Sequence, residues 1–379
     1  MADIDPVELA RELIRRPSVT PADAGAMAIV ERALGDSCFS CRRMTFGGIE
    51  NLYARRGAGG ANLCFAGHTD VVPPGDEAAW RHPPFAGAVE AGTLHGRGAA
   101  DMKSAIACFI AASSRRQVQG SLSLLITGDE EGEAEHGTKA VVAALRAEGE
   151  RIDHCLVGEP TSSARLGDMI KIGRRGSVSA QIMVEGVQGH VAYPDRAANP
   201  APVLVRYLAA VQERALDAGH PGFQPSNLEI TSIDIGNPAG NVIPARASAR
   251  LNIRFNPAHT GAALSAWLCE AGEAAGQGFR GKVTVTPRVS GEAFLTEPGA
   301  FTHVVAAAVE AVTGVKPELS TTGGTSDARF IRALCPVVEF GLVGASMHKV
   351  DEQVPVADVR TLTDVYERLI GDYFSEFSG

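Results

Sequence analysis

The segment His68-Thr-Asp70 places an imidazole and a carboxylate directly after an apolar run. Residues two apart in an extended segment point to the same side, so the side chains of His68 and Asp70 share a face. An imidazole that binds a metal ion commonly donates its second N–H to a carboxylate, which fixes its orientation. The motif therefore fits a metal ligand with its supporting acid, although a structural His–Asp pair at a strand end is the commoner explanation of the motif read alone.

Carboxylates follow two further segments. Asp101 comes after Gly96-Arg-Gly-Ala-Ala at the entrance to a predicted helix, where it could instead be an N-cap. Glu130 and Glu131 are adjacent at the end of an apolar strand, and capping would use only one of them. Because adjacent side chains point in different directions, one can bind metal while the other acts as a general base. The residues alone do not say which carboxylate has which role.

Two more candidate ligands complete the set. Glu159 ends a third apolar run before Pro160, and His348 lies just beyond a run that ends at Gly341. Side chains that follow separate strands of an open α/β sheet converge at one edge of that sheet. Two His, one Asp and two Glu suit two divalent ions about 3.5–4 Å apart that share one carboxylate. Mixed imidazole and carboxylate ligands favour zinc, with cobalt or manganese as alternatives. The predicted metal ligands are His68, Asp101, Glu131, Glu159 and His348.

The composition is that of an ordinary globular protein. The chain has 379 residues, of which 45% are apolar and 21% charged, and this length accommodates two domains. The formal net charge of −9 disfavours a nucleic-acid partner, because an acidic surface repels phosphate. The acidic first residues lack a signal-peptide pattern, and no apolar run has the length of a membrane span. Seven scattered cysteines, including an isolated Cys38-x-x-Cys41, indicate reduced thiols. Together with the two preceding observations, they predict a cytoplasmic protein that does not bind membranes.

Hydrophobic patterning predicts the elements that must position these residues. Two N-terminal helices are expected, the first beginning at Asp5-Pro6 and the second at Thr20-Pro21 and ending at Gly35. Apolar strands then alternate with helices, which indicates an α/β sheet with helices on its faces. These predicted elements are a strand at 62–67, a helix at 102–113, a strand at 121–127, a helix at 138–147 and a strand at 152–158.

The pattern changes near Gly176 and returns to the first type from about Ser290. Between them, alternating strands at 177–185, 227–235 and 245–255 and helices at 199–216 and 261–275 predict a small α+β insert. A helix at 300–312, a strand at 337–341 and a helix at 358–377 follow. We therefore predict a catalytic metal-binding domain with a mixed sheet flanked by helices, formed by 1–176 and 289–379. The inserted smaller α+β domain would comprise 177–288.

Four segments resemble the metal-binding segments of the co-catalytic zinc aminoacylase and carboxypeptidase superfamily, in order along almost the whole chain. They are Gly67-His-Thr-Asp-Val-Val-Pro-Pro-Gly-Asp, Gly96-Arg-Gly-Ala-Ala-Asp-Met-Lys, Asp129-Glu-Glu-Gly and Gly158-Glu-Pro-Thr. Three others resemble, within that superfamily, the enzymes that hydrolyse N-succinyl-LL-2,6-diaminopimelate in bacterial lysine and cell-wall synthesis. They are Ile172-Gly-Arg-Arg-Gly-Ser-Val, Gln188-Gly-His-Val-Ala-Tyr-Pro and Gly323-Gly-Thr-Ser-Asp-Ala-Arg-Phe-Ile.

The resemblance implies a zinc-exopeptidase-like fold and a role for each predicted ligand. Asp101 would bridge two divalent ions per subunit, zinc with cobalt as the alternative. His68 and Glu159 would complete the coordination of one ion, and Glu131 and His348 that of the other.

The resemblance also implies three residues that act without binding metal. Asp70 would hold His68 in place. Glu130, rather than Glu131, would take a proton from the water that bridges the ions and deliver it to the leaving amine. The insert would be a dimerisation domain, and its His190 would reach the active site of the partner subunit and stabilise the tetrahedral oxyanion. Without the resemblance, His190 reads as a residue of a surface turn.

Substrate contacts are implied near the predicted domain junction. Guanidinium groups suit substrate carboxylates because Arg binds them bidentately, whereas Arg174 and Arg175 read alone could be a solvated charge pair. The chain has Gly240 and Gly344 where related enzymes often have Asn, so those side-chain contacts are either lost or replaced by backbone or water. The implied contacts are Arg174, Arg175, Ser177, Asn241 and Thr325.

The expected reaction is hydrolysis of N-succinyl-LL-2,6-diaminopimelate to succinate and LL-2,6-diaminopimelate by a homodimer. The alternative is an acetylornithine deacetylase-like enzyme or a related N-acyl-amino-acid hydrolase, which the segment Arg174-Arg175-Gly-Ser disfavours. A hypothesis of another class is a catalytically silent homologue that binds metal or an amino acid. That hypothesis predicts loss of a ligand or of the base, and all of these residues are present.

Overall fold

The structure, a computed structural model, describes residues 4–377. The chain divides into two compact units. The first unit consists of Met1–Ile172, Thr296–Ser320 and Ser326–Gly379. The second consists of Gly173–Leu295 and Thr321–Thr325.

The described residues form nine α-helices, which we number in chain order. They are α1 (Pro6–Ile14), α2 (Ala26–Asp36), α3 (Lys103–Ser114), α4 (Thr138–Ala147), α5 (Ala201–Glu213), α6 (Gly261–Ala275), α7 (Ala300–Thr313), α8 (Ala328–Ile331) and α9 (Val356–Phe377). Helices α5 and α6 belong to the second unit and the others to the first.

Nineteen β-strands are present in the same residues. They are β1 (Ser40–Phe46), β2 (Ile49–Arg56), β3 (Asn62–His68), β4 (Ala88–Glu90), β5 (Thr93–His95), β6 (Ser121–Thr127), β7 (His154–Val157), β8 (Met169–Lys171), β9 (Gly173–Arg174), β10 (Gly176–Glu185), β11 (Gly189–His190), β12 (Asn227–Asp234), β13 (Val242–Ile243), β14 (Arg246–Phe255), β15 (Lys282–Gly291), β16 (Phe294–Leu295), β17 (Glu318–Ser320), β18 (Val337–Glu339) and β19 (Gln353–Pro355).

The first unit is built on an eight-stranded mixed sheet in the order β1-β2-β6-β3-β7-β18-β8-β17. Its central strands β6, β3, β7 and β18 are parallel, and every residue of β3 and β6 is buried. Strands buried on both faces read as continuous apolar runs, which explains why the sequence shows no alternation there. Helix α3, whose residues are all buried, packs against α1 and α9. The predicted mixed sheet flanked by helices is confirmed.

A small second sheet in the first unit has the order β19-β5-β4. It is antiparallel, with Gln353 paired to His95 and Ala88 also paired to His95. The sheet connects the segment that follows His348 to the strand that leads toward Asp101.

The second unit contains an antiparallel sheet in the order β12-β14-β10-β15. The inward side chains of β10 and β14 form one apolar core with residues of α5 and α6, among them Tyr207 and Leu268. Alternating burial along β14 reflects a sheet that is covered on one face. The unit begins a few residues before the predicted boundary at 177, ends after the one at 288, and gains Thr321–Thr325.

The predicted helix starts had different outcomes. Asp5 caps α1 as expected, its Oδ1 accepting from the N–H of Val7 at 2.8 Å. The prediction for the second helix was wrong, because α2 begins at Ala26 rather than after Thr20 and ends one residue beyond Gly35. No helix in the described part of the chain has the combination of length and apolar character that crossing a bilayer requires.

Candidate metal centre

His68 is the last residue of the buried strand β3 and is 1% exposed. Its Nε2 lies 3.2 Å from Oδ1 of Asp101 and 3.8 Å from Oε1 of Glu159. Its Nδ1 lies 2.8 Å from the backbone carbonyl of Asp70 and 3.7 Å from the Asp70 carboxylate. The backbone of Asp70 is therefore nearer to His68 than the Asp70 side chain, for which the supporting contact was predicted. Nε2 of His68 faces the carboxylates of Asp101 and Glu159.

Asp101 lies between the two predicted histidine ligands. One carboxylate oxygen faces His68, and the other lies 3.3 Å from Nε2 of His348. Helix α3 begins only at Lys103, and its N-cap residue Met102 makes no side-chain capping bond. The N-cap explanation for Asp101 is therefore wrong, and the carboxylate is placed as a bridging ligand would be.

Glycine precedes two of the predicted ligands, and Met102 packs against both glycines. A Cβ at Gly67, before His68, would lie 2.6 Å from Cε of Met102, and one at Gly158, before Glu159, would lie 2.7 Å from the same atom. A side chain at either position would therefore require the flexible end of Met102 to move. Glycine at both positions therefore lets the residue after Asp101 pack against the ends of β3 and β7.

Glu131 and His348 meet on the other side of Asp101. Oε1 of Glu131 lies 2.8 Å from Nε2 of His348. The His348 side chain is 46% exposed, whereas that of Glu131 is 9% exposed. His348 has φ of 62°, in the left-handed region that a non-glycine residue adopts only at a cost of about 1–3 kcal/mol. A ligand held in such a conformation is typical of a functional site.

The Asp70 carboxylate fixes the segment that carries the two adjacent Glu residues. Oδ1 accepts from the N–H of Glu130 at 3.2 Å, and Oδ2 accepts from the N–H of Glu131 at 3.0 Å. The same residue contacts His68 through its carbonyl. Asp70 therefore sets the position of one predicted ligand, a second predicted ligand and the predicted base at once.

The cluster concentrates negative charge away from water. Burial and the charges of Glu159 and Asp327 raise the pKa of Glu130 well above its usual value. Burial raises the pKa of Asp70 to about 6, although His68 lowers it. Like-charged carboxylates that are buried together disfavour one another's ionised form, and a cation relieves this repulsion.

The histidines respond in the opposite direction. Burial would lower the pKa of His68, but the hydrogen bond with Asp101 and its charge raise that pKa well above its usual value. Hydrogen bonds with Asp101 and Glu131 raise the pKa of His348 to about 10. Burial opposes ionisation of Asp101, but both histidines hold its pKa below the ordinary value. Positive charge is thus stabilised where the ions are expected.

The donor set fits divalent cations. Potential ligand atoms of His68, Asp101 and Glu131 lie within 4.8 Å of one another, and so do those of His68, Glu130 and Glu159. Small side-chain movements would bring either set to the ligand distances of about 2.0–2.2 Å that zinc requires. The second set includes Glu130, so geometry alone allows this residue to be either a ligand or a base.

The predicted substrate contacts lie in the second unit, where they form two groups. Nη1 of Arg174 donates to the carbonyl of Gly324 at 3.1 Å, which places it beside Thr325 in the chain. Nη1 of Arg175 donates to Oδ1 of Asn227 at 2.9 Å. Ser177 is 3% exposed on β10 and accepts from the Asn252 amide at 3.1 Å.

His190 and Asn241 form the second group. His190 is exposed on the two-stranded sheet β11-β13, and the backbone carbonyl of Asn241 accepts from the N–H of Val191 at 3.1 Å. Nδ1 of His190 accepts from the N–H of Ala192 at 3.0 Å. A neutral imidazole that accepts at Nδ1 carries its proton at Nε2, so His190 presents an N–H donor.

Sequence reasoning missed Glu352, which holds the segment before Asp101. The Glu352 carboxylate is 1% exposed and accepts from the backbone N–H groups of Gly98, Ala100 and Asp101 at 3.0, 2.8 and 3.1 Å. Nη1 of Arg97 also donates to it, at 2.7 Å. Glu352 lies four residues after His348, so one carboxylate connects the loops that carry the predicted ligands Asp101 and His348. The sequence signal that could have pointed to Glu352 is an Arg before Asp101 and a Glu shortly after His348, which can form an ion pair.

Comparison with known proteins agrees with this architecture. Residues 64–372 match the model of peptidase family M20/M25/M40. A succinyl-diaminopimelate desuccinylase of Phenylobacterium zucineum (strain HLK1) is 67% identical over 378 residues, which cover 99% of this chain and 100% of that protein. The enzyme of the same name from Caulobacter vibrioides (strain NA1000 / CB15N) is 66% identical over 376 residues, covering 99% of this chain and 97% of that protein.

Solved structures share the fold at low sequence identity. The M20 family metallo-carboxypeptidase Sso-CP2 from Sulfolobus solfataricus has a TM-score of 0.80 at 15% identity, covering 98% of this chain and 99% of that chain. The YXEP protein of Bacillus subtilis, described as a dinuclear metal-binding peptidase of the M20 family, has a TM-score of 0.71 at 15% identity, covering 98% of each chain. The chain therefore belongs to peptidase family M20/M25/M40, a family of metal-dependent hydrolases.

Proposed function

We propose that this hydrolase cleaves the amide of N-succinyl-LL-2,6-diaminopimelate, yielding succinate and LL-2,6-diaminopimelate for lysine and cell-wall synthesis. The observation that carries the proposal is the 67% identity, over 99% of the chain, to a succinyl-diaminopimelate desuccinylase. The cluster around Asp101 supports it, because an amide is cleaved by water only when its carbonyl is polarised and the amine is protonated as it leaves.

Two divalent ions per subunit, zinc or cobalt, are part of the proposal. His68, Asp101 and Glu159 would hold one ion, and Asp101, Glu131 and His348 the other. Bound there, the ions would polarise the amide carbonyl and lower the pKa of the attacking water. The support is the placement of the two Asp101 oxygens, one facing each histidine.

Glu130 is proposed as the general base and acid. It would accept a proton from the attacking water and donate a proton to the amine nitrogen as the C–N bond breaks. Its backbone N–H is fixed by Asp70, and its carboxylate lies within 4.8 Å of potential ligand atoms of His68 and Glu159. A base beside the ligands is therefore positioned by the same residue that positions His68.

The second unit is proposed to bind substrate and to form a homodimer. Arg174, Arg175, Ser177, Asn241 and Thr325 would contact the substrate, the two Arg residues pairing with carboxylates. His190 of the partner subunit would donate its Nε2–H to the developing oxyanion. Exposed apolar side chains of this unit support an interface, since Val205 on α5 is 63% exposed and Ile233 on the edge strand β12 is 57% exposed. The seven unpaired cysteines support a reducing compartment, the cytoplasm.

The assay that tests the substrate compares N-succinyl-LL-2,6-diaminopimelate with N-acetylornithine and simple dipeptides, in the presence of Zn²⁺ or Co²⁺. We expect kcat/KM to be highest for the succinylated substrate. A higher value for acetylornithine would replace the proposal with the deacetylase alternative.

The role of Glu130 is tested by the Glu130→Gln variant, with Glu133→Gln in the same segment as the control. We expect Glu130→Gln to retain both metal ions by elemental analysis while losing at least about 10²-fold in kcat, and the control to remain active. If Glu130→Gln lost a metal ion instead, Glu130 would be a ligand. If the wild-type chain hydrolysed none of the compounds, the silent-homologue hypothesis would replace the proposal.

A further inference from the structure

Outside the centre, a second group of metal-binding side chains lies at the small sheet of the first unit. Glu90 ends β4, His95 ends β5, and His82 precedes both strands. Nε2 of His82 lies 3.2 Å from Oε2 of Glu90, and the ring centroids of His82 and His95 are 4.8 Å apart. One potential ligand atom from each of the three residues lies within 4.8 Å of the other two.

His95 is the informative member of this group. It is 7% exposed, and its ring lies beside that of His82 with an angle of 51° between the two ring planes. One of its ring nitrogens lies within 4.8 Å of potential ligand atoms of both His82 and Glu90. Three donors that are already this close need only small side-chain movements to bind one cation.

We propose that His82, Glu90 and His95 form a further binding site for a single divalent transition-metal ion. Two imidazoles and one carboxylate are a donor set that zinc accepts, with water in the remaining position. Affinity for such a nitrogen-rich site increases from manganese toward nickel and copper, so zinc, cobalt or nickel is the class of ion expected. The site shares no residue with the centre around Asp101.

The charges around the site also decide which ligand fits. Glu90 and Asp351 favour positive charge near His95, whereas Arg81 opposes it. Burial, together with the charge of His82, lowers the pKa of His95, so its imidazole is neutral and able to coordinate near neutral pH. A divalent cation suits these groups better than an anion does.

An ion here would connect two segments of the chain. Oδ1 of Asp351 accepts from the N–H of Arg81 at 2.7 Å, next to His82, and Gln353 pairs with His95 across the sheet. Both residues belong to the segment that follows His348. The ion would join His82 to the β4-β5 hairpin, both of which already contact the segment after His348, and we expect it to raise thermal stability.

The test is a calorimetric titration of Zn²⁺ into the chain already loaded with two zinc ions, as verified by elemental analysis. We expect one further equivalent to bind to the wild type. We expect that equivalent to be lost in His82→Gln and Glu90→Gln, both of which change partly exposed side chains and leave the buried His95 in place. His303→Gln, an exposed histidine on α7, is the matched control and should retain it.

A second readout uses thermal unfolding. Excess Zn²⁺ should raise the Tm of the loaded wild type and of His303→Gln, but not that of His82→Gln or Glu90→Gln, because only a ligand that binds the native state stabilises it. Absence of a third equivalent in the wild type, or its persistence in both site variants, would overturn the proposal. Neither result depends on which amide the enzyme cleaves.

Discussion

In the proposed centre, the carboxylate of Asp101 couples the protonation of His68 and His348 to metal binding. Each Asp101 oxygen faces one imidazole, and hydrogen bonds with Asp101 and Glu131 raise the pKa of His348 to about 10. Below that pH His348 is protonated in the metal-free chain, and coordination requires the neutral ring. Metal binding must therefore displace protons over the whole neutral range.

This gives a prediction for metal removal and return. Zn²⁺ added to the chelator-treated chain should release protons, and the apparent affinity should rise with pH up to about 10, by about tenfold per pH unit for each proton displaced. The measurement is calorimetry in buffers of different ionisation enthalpy. A pH-independent affinity between pH 6 and 8, on the order of a twofold change or less, would contradict the argument.

At the scale of elements, Glu352, which is not one of the predicted ligands, holds a loop of the candidate centre in place. Glu352 accepts three backbone N–H groups of residues 98–101 and pairs with Arg97, and both of these side chains are at most 3% exposed. It thereby connects the loop before α3 to the segment that carries His348. The Arg97 guanidinium also lies 5.2 Å from the centre of the Trp80 ring, which braces the same region.

We expect Glu352→Gln to weaken this connection, because the amide nitrogen would face backbone donors instead of accepting from them. Loss of hydrogen bonds to a buried charged group should lower the free energy of unfolding by about 1.5–3 kcal/mol. Zinc affinity should fall by about 10–100-fold, as for other residues that support a ligand. Chemical denaturation and zinc titration measure these effects, and Glu318→Gln on the exposed end of β17 is the control. A variant with unchanged zinc affinity would show that the loops hold their positions without Glu352.

How far the sequence predicts these elements depends on whether the signal is local. The buried strand ending at His68 and the helix α4 follow from apolar patterning and agree with the structure. The start of α2 was predicted wrongly. Asp23, not Thr20, accepts from the N–H groups of Gly25 and Met27. A long-range contact such as the one between Glu352 and residues 98–101 has no periodicity that a sequence pattern could show.

The same limit applies to the centre. The candidate ligands are recognisable because each follows a strand, and the structure brings them together. Whether Asp101 is a cap or a ligand could not be settled locally, because both roles place an Asp before a helix. In the structure α3 begins two residues after Asp101, and Met102 packs against Gly67 and Gly158, a long-range contact that no local pattern records.

At the scale of the whole molecule, the proposal requires two chains for one complete site. His190 lies on the second unit with its Nε2–H available, and removal of one oxyanion donor typically lowers kcat by about 10²–10³-fold. We expect His190→Ala to show a loss of this size while keeping its fold and metal content. Unchanged turnover would exclude the role.

Mixing two inactive variants shows whether His190 acts in the site of the partner subunit or in that of its own chain. If His190 acts across the dimer, His190→Ala and Glu130→Gln chains, unfolded and refolded together, should form hybrids that contain one complete site. Random pairing would restore about a quarter of wild-type activity. If His190 acted within its own chain, every mixed site would lack one residue, and the mixture would stay as inactive as its components.

The unequal exposure of the two histidine ligands sets an order of events for the proposed ion pair. His68 is enclosed at the end of a buried strand, whereas His348 stands on an exposed loop in a backbone conformation that most residues avoid. A chelator would reach an ion held by His348 first, and relaxation of that loop would favour its departure. The enzyme would therefore pass through a form with a single ion, held by His68, before it is emptied. When the metal is scarce, this half-loaded form would be the one that accumulates.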